Sequence, residues 1–250
     1  MTHPRIREGK VPAGKPLWVA WLGRSEYEPA LELQIRVCEA KKGGFTPDVL
    51  LLLEHPPTIT LGRNGKWHHL LVTEETLDAR GVRRFETDRG GDITYHGPGQ
   101  LVGYPLLKLE GAERDVRLYM HKLEECLIRA LESFGVDAGR DPKHVGVWTG
   151  SGKIAAMGVH ISRWITRHGF ALNVDTDLSY YDLIVPCGLV GKSVTSMRQI
   201  LGRPVKLEEV AGRVAEKFGA VFGREIMWKS GEQIYRAALP APLGLEPQQT

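Results

Sequence analysis

Between Arg89 and Leu107 the chain reads RGGDITYHGPGQLVGYPLL, and few folds can accommodate such a stretch. A glycine pair opens it, ITYH has strand character, GPG makes a turn, and a second apolar run follows. Glycines let backbone approach closely and adopt positive φ. Arg89, Tyr95, His96 and Gln100 surround that backbone with donors and acceptors. A plain strand–turn–strand unit needs neither so much punctuation nor so much polar chemistry. The stretch reads as the wall of a pocket.

The flanking segments set the fold class. PLWVAWLG from Pro16 and DVLLLLEH from Asp48 are strands, the second a continuous apolar run of the buried kind. Pro56-Pro57 breaks it, and TITLGR from Thr58 is expected to return as its partner strand. Ser25 opens S-E-Y-E, a capping-box pattern. The helix that follows, with Leu31, Ile35 and Cys38 at helical spacing, ends at Gly43-Gly44. A short helix is expected from Thr73 to Arg80, stopped by Gly81. From Asp115 to Phe134, Val116, Tyr119, Leu123, Cys126, Leu127, Ala130, Leu131 and Phe134 make one apolar helix face. Two β runs flank the turn Thr149-Gly150-Ser151-Gly152, a hairpin signal, and HGFALNV from His168 extends that sheet. A last amphipathic helix starts at Leu207. Hairpins outnumber βαβ units, so the expected class is α/β of the α+β kind: a mixed, largely antiparallel sheet with flanking helices. One domain is expected over residues 16–222, with residues 1–15 and 237–250 as disordered termini.

Composition excludes little but excludes it cleanly. In 250 residues a hydrophobic content of 42% supplies a core, and a net charge of +3 selects no nucleic-acid partner. No apolar run approaches the ~18 residues of a membrane span. Three widely spaced cysteines make no disulfide framework, so a reducing, cytoplasmic setting is expected. Nine histidines are scattered without HExxH, CxxC or a tight Cys/His cluster, so no metal is expected. GSGK and GLVGKS resemble phosphate-binding loops. Each lacks the glycine six residues before its lysine, where Val147 and Pro186 stand.

Cys38 and Cys126 fall on amphipathic helix faces and are read as core. Cys187 differs: in IVPCGLVGK it sits in a loop between Pro186 and Gly188. That context fits a reactive thiolate or a buried loop thiol. A nucleophilic thiolate needs a nearby cation. Lys153 and Lys192 are the candidates, and Lys153 enters an otherwise apolar run, KIAAMGVHI. Strand alternation places Lys153 on one face with Ala155, Met157 and Val159, costly for a lysine unless it is paired or used. His96 fits a catalytic or a hydrogen-bonded structural role.

These stretches, EHPPTITLGR, RGGDITYHGPGQLVGYPLL, GKIAAMGVHI, HGFALNV and VPCGL, together resemble the octanoyltransferase family of the lipoate pathway. They follow the family's order over roughly residues 17–218. The resemblance implies the fold of biotin and lipoate protein ligase catalytic domains. It implies transfer of octanoyl (or lipoyl) from octanoyl-acyl-carrier protein to a lysine of lipoyl domains, those of 2-oxoacid dehydrogenase E2 subunits and the glycine cleavage H protein. No cofactor, nucleic acid or membrane is implied. Cys187 would carry the acyl thioester and Lys153 would lower its pKa. The acyl-binding residues would be Arg89, Gly90, Gly91, Asp92, Ile93, Thr94, Tyr95, His96, Ala156, Met157, Gly158, Gly169, Phe170 and Ala171, with Met157, Phe170 and Ala171 forming an apolar slot. Alternatives on the same residues are an ATP-dependent lipoate or biotin ligase, a cysteine thioesterase, and a non-catalytic acyl-binding protein.

Overall fold

The computed structural model describes residues 14–185 and 193–239. The chain opens with β1 (Lys15–Arg24), α1 (Tyr27–Lys42), β2 (Asp48–Glu54) and β3 (Thr58–Leu61). α2 (Glu74–Ala79), β4 (Arg83–Glu86), β5 (Ile93–His96), β6 (Gln100–Leu106) and α3 (Val116–Glu132) follow. The second half holds β7 (Gly139–Arg140), β8 (Val147–Thr149), β9 (Gly152–Ser162), β10 (Ile165–Asn173), α4 (Met197–Leu201), α5 (Leu207–Phe222), β11 (Arg224–Trp228) and α6 (Gly231–Ala237).

Eight strands form one sheet in the order β11-β1-β2-β6-β10-β9-β8-β7. β1 pairs in parallel with β11 and β2, and the other five pairings are antiparallel. The expected mixed, largely antiparallel sheet is present. Its central strand β2 is buried from Asp48 to Leu53, as its unbroken apolar run requires. Helices α3 and α5 cover one face, where Leu123, Leu127, Val214 and Phe218 pack on Leu50, Leu101 and Leu172. Each side chain of this size removed from water contributes about 1.5–3 kcal/mol. On the other face Ala30, Val37 and Cys38 of α1 and Ile234 of α6 pack on Val49, Leu51 and Ala171. Among the described residues no helix is long and apolar enough to cross a membrane.

Several local expectations are corrected. TITL does not pair with β2; it forms β3, the centre of a second sheet ordered β4-β3-β5. Pro56-Pro57 carries the chain out of the first sheet, since neither proline can donate to a ladder. The GPG turn likewise joins strands of two sheets, β5 in the small one and β6 in the large one. Ser25 does not cap α1: Glu26 is the N-cap, and the Ser25 hydroxyl donates to Leu22 O. The buried face of α1 is Tyr27, Ala30, Gln34, Val37, Cys38 and Lys41, while Ile35 is exposed. Gln34 and Lys41 can be buried because each has a partner across the core: Gln34 Oε1 accepts from His168 N, and Lys41 Nζ lies 3.1 Å from Asp48 Oδ1. Val116 is exposed at the start of α3, where Asp115 caps by accepting from Leu118 N. Residue 222 does not end the folded chain, because β11 extends the sheet beside β1 and α6 packs against α1.

Candidate active site

A narrow cavity lies between the small sheet and the α1-facing side of the large one, with about 30 Å³ of room for water. Period-two alternation makes its upper wall. In β5, Ile93 and Tyr95 turn into an apolar cluster with Leu183 and Ile184, and Tyr95 stacks on Tyr180 at 4.8 Å. Thr94 and His96 therefore face the cavity.

The large sheet supplies small side chains opposite. Ala156 pairs with Ala171, and Gly158 with Gly169, across β9 and β10. All four border the space. A Cβ at Gly158 would stand 2.6 Å from Gly90 O, so glycine here lets the Arg89–Gly90 loop lie against β9. Gly90 N donates to Val159 O at 2.8 Å across that contact. Met157 and Phe170, expected in the slot, border it beside Ala156, Gly158, Gly169 and Ala171, with part of their side chains in the core. Gly91 has φ +87° in the loop, and Asp92 contacts the His69 ring and accepts from Ile93 N.

Three lining residues had no site assignment in the sequence reading: Tyr27, Tyr104 and His168. His168 directly precedes Gly169, a signal within reach. Tyr104 shares the Val102 face of β6, which alternation gives once the cavity face is known. Tyr27 has no local signal; it arrives because α1 starts beside β4, stacking on Phe85 at 4.9 Å.

The polar wall is ordered by a continuous hydrogen-bond chain. Arg89 Nη2 donates to Thr60 O (2.7 Å) and Thr60 Oγ1 (2.8 Å). His96 Nδ1–H donates to Gln100 Oε1 at 2.9 Å, which leaves Nε2 facing Thr60 Oγ1 at 3.4 Å. Gln100 Nε2 donates to Asn173 Oδ1 (3.0 Å), and Asn173 Nδ2 donates to Thr195 O (3.1 Å). Burial pushes the His96 pKa well below its ordinary value, so His96 is a neutral, hydrogen-bonded member of the wall. At the other end His168 Nε2–H donates to Asp88 Oδ1 at 2.8 Å. The His168 bond and the charge of Arg167 hold the Asp88 carboxyl well below the usual carboxylate range. Behind the wall His55 Nδ1–H donates to Ser25 O, and its Nε2 accepts from the Tyr104 hydroxyl at 2.8 Å.

His55 makes this wall acid-sensitive. Burial lowers its pKa to about 4, against an ordinary value near 6.5, so folding favours the neutral ring. Its contribution is fully present above pH ~6.5 and is lost as pH falls toward 4. Between pH 6.5 and 5 the loss is about 2 kcal/mol, at ~1.4 kcal/mol per unit. Urea unfolding at pH 8 and pH 5 measures it, and His55→Gln is expected to flatten the slope. An unchanged slope in that variant contradicts the assignment.

Lys153 is brought to the cavity side by a β-bulge. Val147 pairs with Ala155, yet Trp148 pairs with Lys153, so Ile154 is one residue too many on β9. Ile154 and Ala155 both enter the α3/α5 core. Lys153 is therefore turned to the side of Trp148, Ala156 and Gly158, and not to that of Ala155, Met157 and Val159 as strict alternation predicts. Ser193 and Thr195 are tied to it: Lys153 N donates to Ser193 O (2.9 Å) and Thr195 N to Lys153 O (3.0 Å). Val185 is tied to the small-sheet side, its N donating to His69 O at 2.8 Å. Cys187 and Lys192 lie outside the described residues. Cys38 and Cys126 are buried as expected, and burial pushes the Cys38 thiol up to about 11, unsuited to nucleophilic work.

The model of the lipoyl protein ligase A/B catalytic domain matches residues 26–219, which include every element around the cavity. An octanoyltransferase from Solibacter usitatus is 53% identical over 206 residues, covering 82% of this chain and 93% of its own. This chain belongs to the octanoyltransferase family. A second octanoyltransferase, from Caldicellulosiruptor saccharolyticus, is 45% identical over 218 residues, or 86% of this chain and 93% of that one. Solved structures carry the fold further than the sequence does. A putative lipoate protein ligase from T. acidophilum superposes with a TM-score of 0.69 at 15% identity, over 89% of this chain and 92% of that one. Lipoate-protein ligase A bound with ATP gives 0.67 at 15%, over 89% and 93%. At such identity the octanoyltransferase family and these ligases are shown to share an architecture and nothing finer.

Proposed function

We propose that the protein transfers an octanoyl group from acyl-carrier protein to a specific lysine of lipoyl domains, through a thioester on Cys187. The observation that carries the reading is the bulge at Ile154. It sets Lys153 on the cavity side of β9, hydrogen-bonded through its backbone to Ser193 and Thr195, which follow Cys187 in the chain. Family membership supplies the acyl group and the acceptor class.

The Cys187 thiolate attacks the carbonyl carbon of the carrier-bound thioester. The C–S bond to the carrier breaks, and the carrier sulfur leaves as a thiol with the proton of the Lys153 ammonium, which is thereby neutral for the next step. The acceptor amine then attacks the Cys187 thioester, forming the amide and releasing the Cys187 thiolate. The amine proton passes to Lys153 in its neutral form. One thioester exchanges for another and then for a more stable amide, so no ATP is required, and ping-pong kinetics follow. The acyl chain lies along Ala156, Gly158, Gly169 and Ala171, with the Arg89–His96 segment opposite. Removing its methylenes from water contributes ~0.8 kcal/mol for each CH₂. The acceptors are the lipoyl domains of 2-oxoacid dehydrogenase E2 subunits and the glycine cleavage H protein, met in the cytoplasm. The catalytic unit spans residues 16–222, and β11 and α6 complete its sheet and core beyond that point.

Intact-mass analysis tests the reading. The protein mixed with octanoyl-carrier protein, without ATP, is expected to gain one octanoyl adduct that Cys187→Ser abolishes and an added lipoyl domain removes. No adduct, or transfer only with ATP, sinks it. An adduct discharged as free octanoate, with the lipoyl domain unlabelled, identifies a thioesterase.

A further inference from the structure

A lysine at the end of a hairpin has four rotatable bonds, yet Lys153 lies in a constructed space. Its Nζ is 5.4 Å from the centroid of the Trp148 ring, within cation–π range. Trp148 is itself held, its indole Nε1 donating to His144 O at 3.1 Å with the His144 ring packed 6.0 Å away. Below the lysine stem is Gly146, where a Cβ would stand 2.6 Å from Lys153 Cε and 3.3 Å from Nζ. Gly146 has φ +126°, and its N–H is fixed by Glu124 Oε1 of α3 at 3.1 Å. Glu124 is buried, and its other oxygen accepts from Arg140 Nε at 3.0 Å. These parts converge on one side chain.

We propose that Trp148 and Gly146, the latter anchored by Glu124, form a seat for the Lys153 ammonium, with Trp148 the positioning residue. The inference rests on the reading of Lys153 as the partner of Cys187 and adds what holds it. The seat has a direction. A ring face favours the ammonium over the amine, which helps Lys153 while it stabilises the Cys187 thiolate. The same preference opposes the later step, when Lys153 must be neutral to accept the proton of the acceptor amine. The seat therefore divides the two half-reactions, whereas a merely structural tryptophan would slow both. Among the described residues, the other titratable and charged groups near it include His144 from the segment before β8, Glu124 from α3 and Arg140 from β7.

The test is the series Trp148→Tyr, Trp148→Phe and Trp148→Leu, with two readouts. The first is labelling of Lys153 by a succinimidyl ester between pH 7 and 10, quantified on its peptide. Trp148→Leu is expected to move the midpoint down by about half a unit to one unit, with Tyr and Phe between. The second is the rate of each half-reaction. In Trp148→Leu, acylation of Cys187 is expected to fall about three- to tenfold while transfer to the lipoyl domain is unchanged or faster. If the leucine variant does not fold, the tyrosine and phenylalanine variants carry the same ordering. Lys153 labelling identical to wild type throughout the series overturns the seat, as does equal slowing of both half-reactions. A shifted Lys153 profile in a protein that never forms a Cys187 adduct leaves the seat standing and removes the proposed function instead.

Discussion

Replacing Lys153 with alanine is expected to slow acylation of Cys187 by about 10²–10⁴-fold, the usual contribution of a positioned acid–base group. The thiolate is the attacking form, and an unassisted thiol titrates near ~8.5, so only a few per cent would be ionised at neutral pH. Lys153 is turned to the cavity side by the bulge at Ile154 and bound through its backbone to Ser193 and Thr195. Its removal costs the cation while leaving those backbone bonds intact. The pH profile of Cys187 alkylation by iodoacetamide measures the effect directly, and its midpoint is expected to rise in the variant. Lys153→Arg separates the lysine's two duties. Arginine keeps the charge but cannot give up its proton. Alkylation should stay near wild type while transfer to the acceptor amine fails. An alkylation profile identical in wild type and Lys153→Ala would contradict the dyad.

Asp48→Ala is expected to have the largest effect on stability, about 3–5 kcal/mol in urea unfolding. Asp48 is fully buried at the start of β2. Its Oδ1 accepts from Lys41 Nζ and from Lys108 N, both at 3.1 Å, and its Oδ2 accepts from Arg224 Nε at 2.9 Å. Arg224 also holds Glu113 at 2.7 Å, so one carboxylate ties α1, β2, β11 and the approach to α3 together. Truncation leaves the Lys41 ammonium buried with Pro47 O, at 2.6 Å, as its remaining hydrogen-bond acceptor. Burial already pushes the Lys41 pKa down, against the pull of Asp48. Lys41→Met should cost much less, because Asp48 keeps Arg224 and a backbone donor while the methionine keeps the stem's packing. A loss under about 1 kcal/mol in Asp48→Ala, or a larger one in Lys41→Met, would refute this ordering.

Much of the architecture was legible wherever a residue's fate depends on near neighbours in the chain. The apolar faces of α3 and α5, the buried run of β2 and the β8–β9 hairpin all follow from spacing. Cys38 and Cys126 could be set aside because helical spacing put them in the core. In the small sheet the alternation Ile93–Thr94–Tyr95–His96 already divides core from cavity, once one knows which side is which. The α1 face was misread because Gln34 and Lys41 look like solvent-facing residues until His168 N and Asp48, supplied by other strands, are in place.

The sequence by itself determined the residue types of the site, the glycines that let the Arg89 loop approach β9, and the membership in a family of acyl-transferring enzymes. Only the tertiary structure decided which side of the sheet each of those residues occupies. Ile154 carries no mark that makes it a bulge; the extra residue exists only relative to the register of β8. Because side chains alternate with a period of two, that single residue moves Lys153 from the α3/α5 side of the sheet to the cavity side. The same holds for the slot, where Ala156, Gly158, Gly169 and Ala171 stand beside Met157 and Phe170, whose side chains lie partly in the core. Local spacing says that a face exists, and long-range pairing says which face meets the cavity.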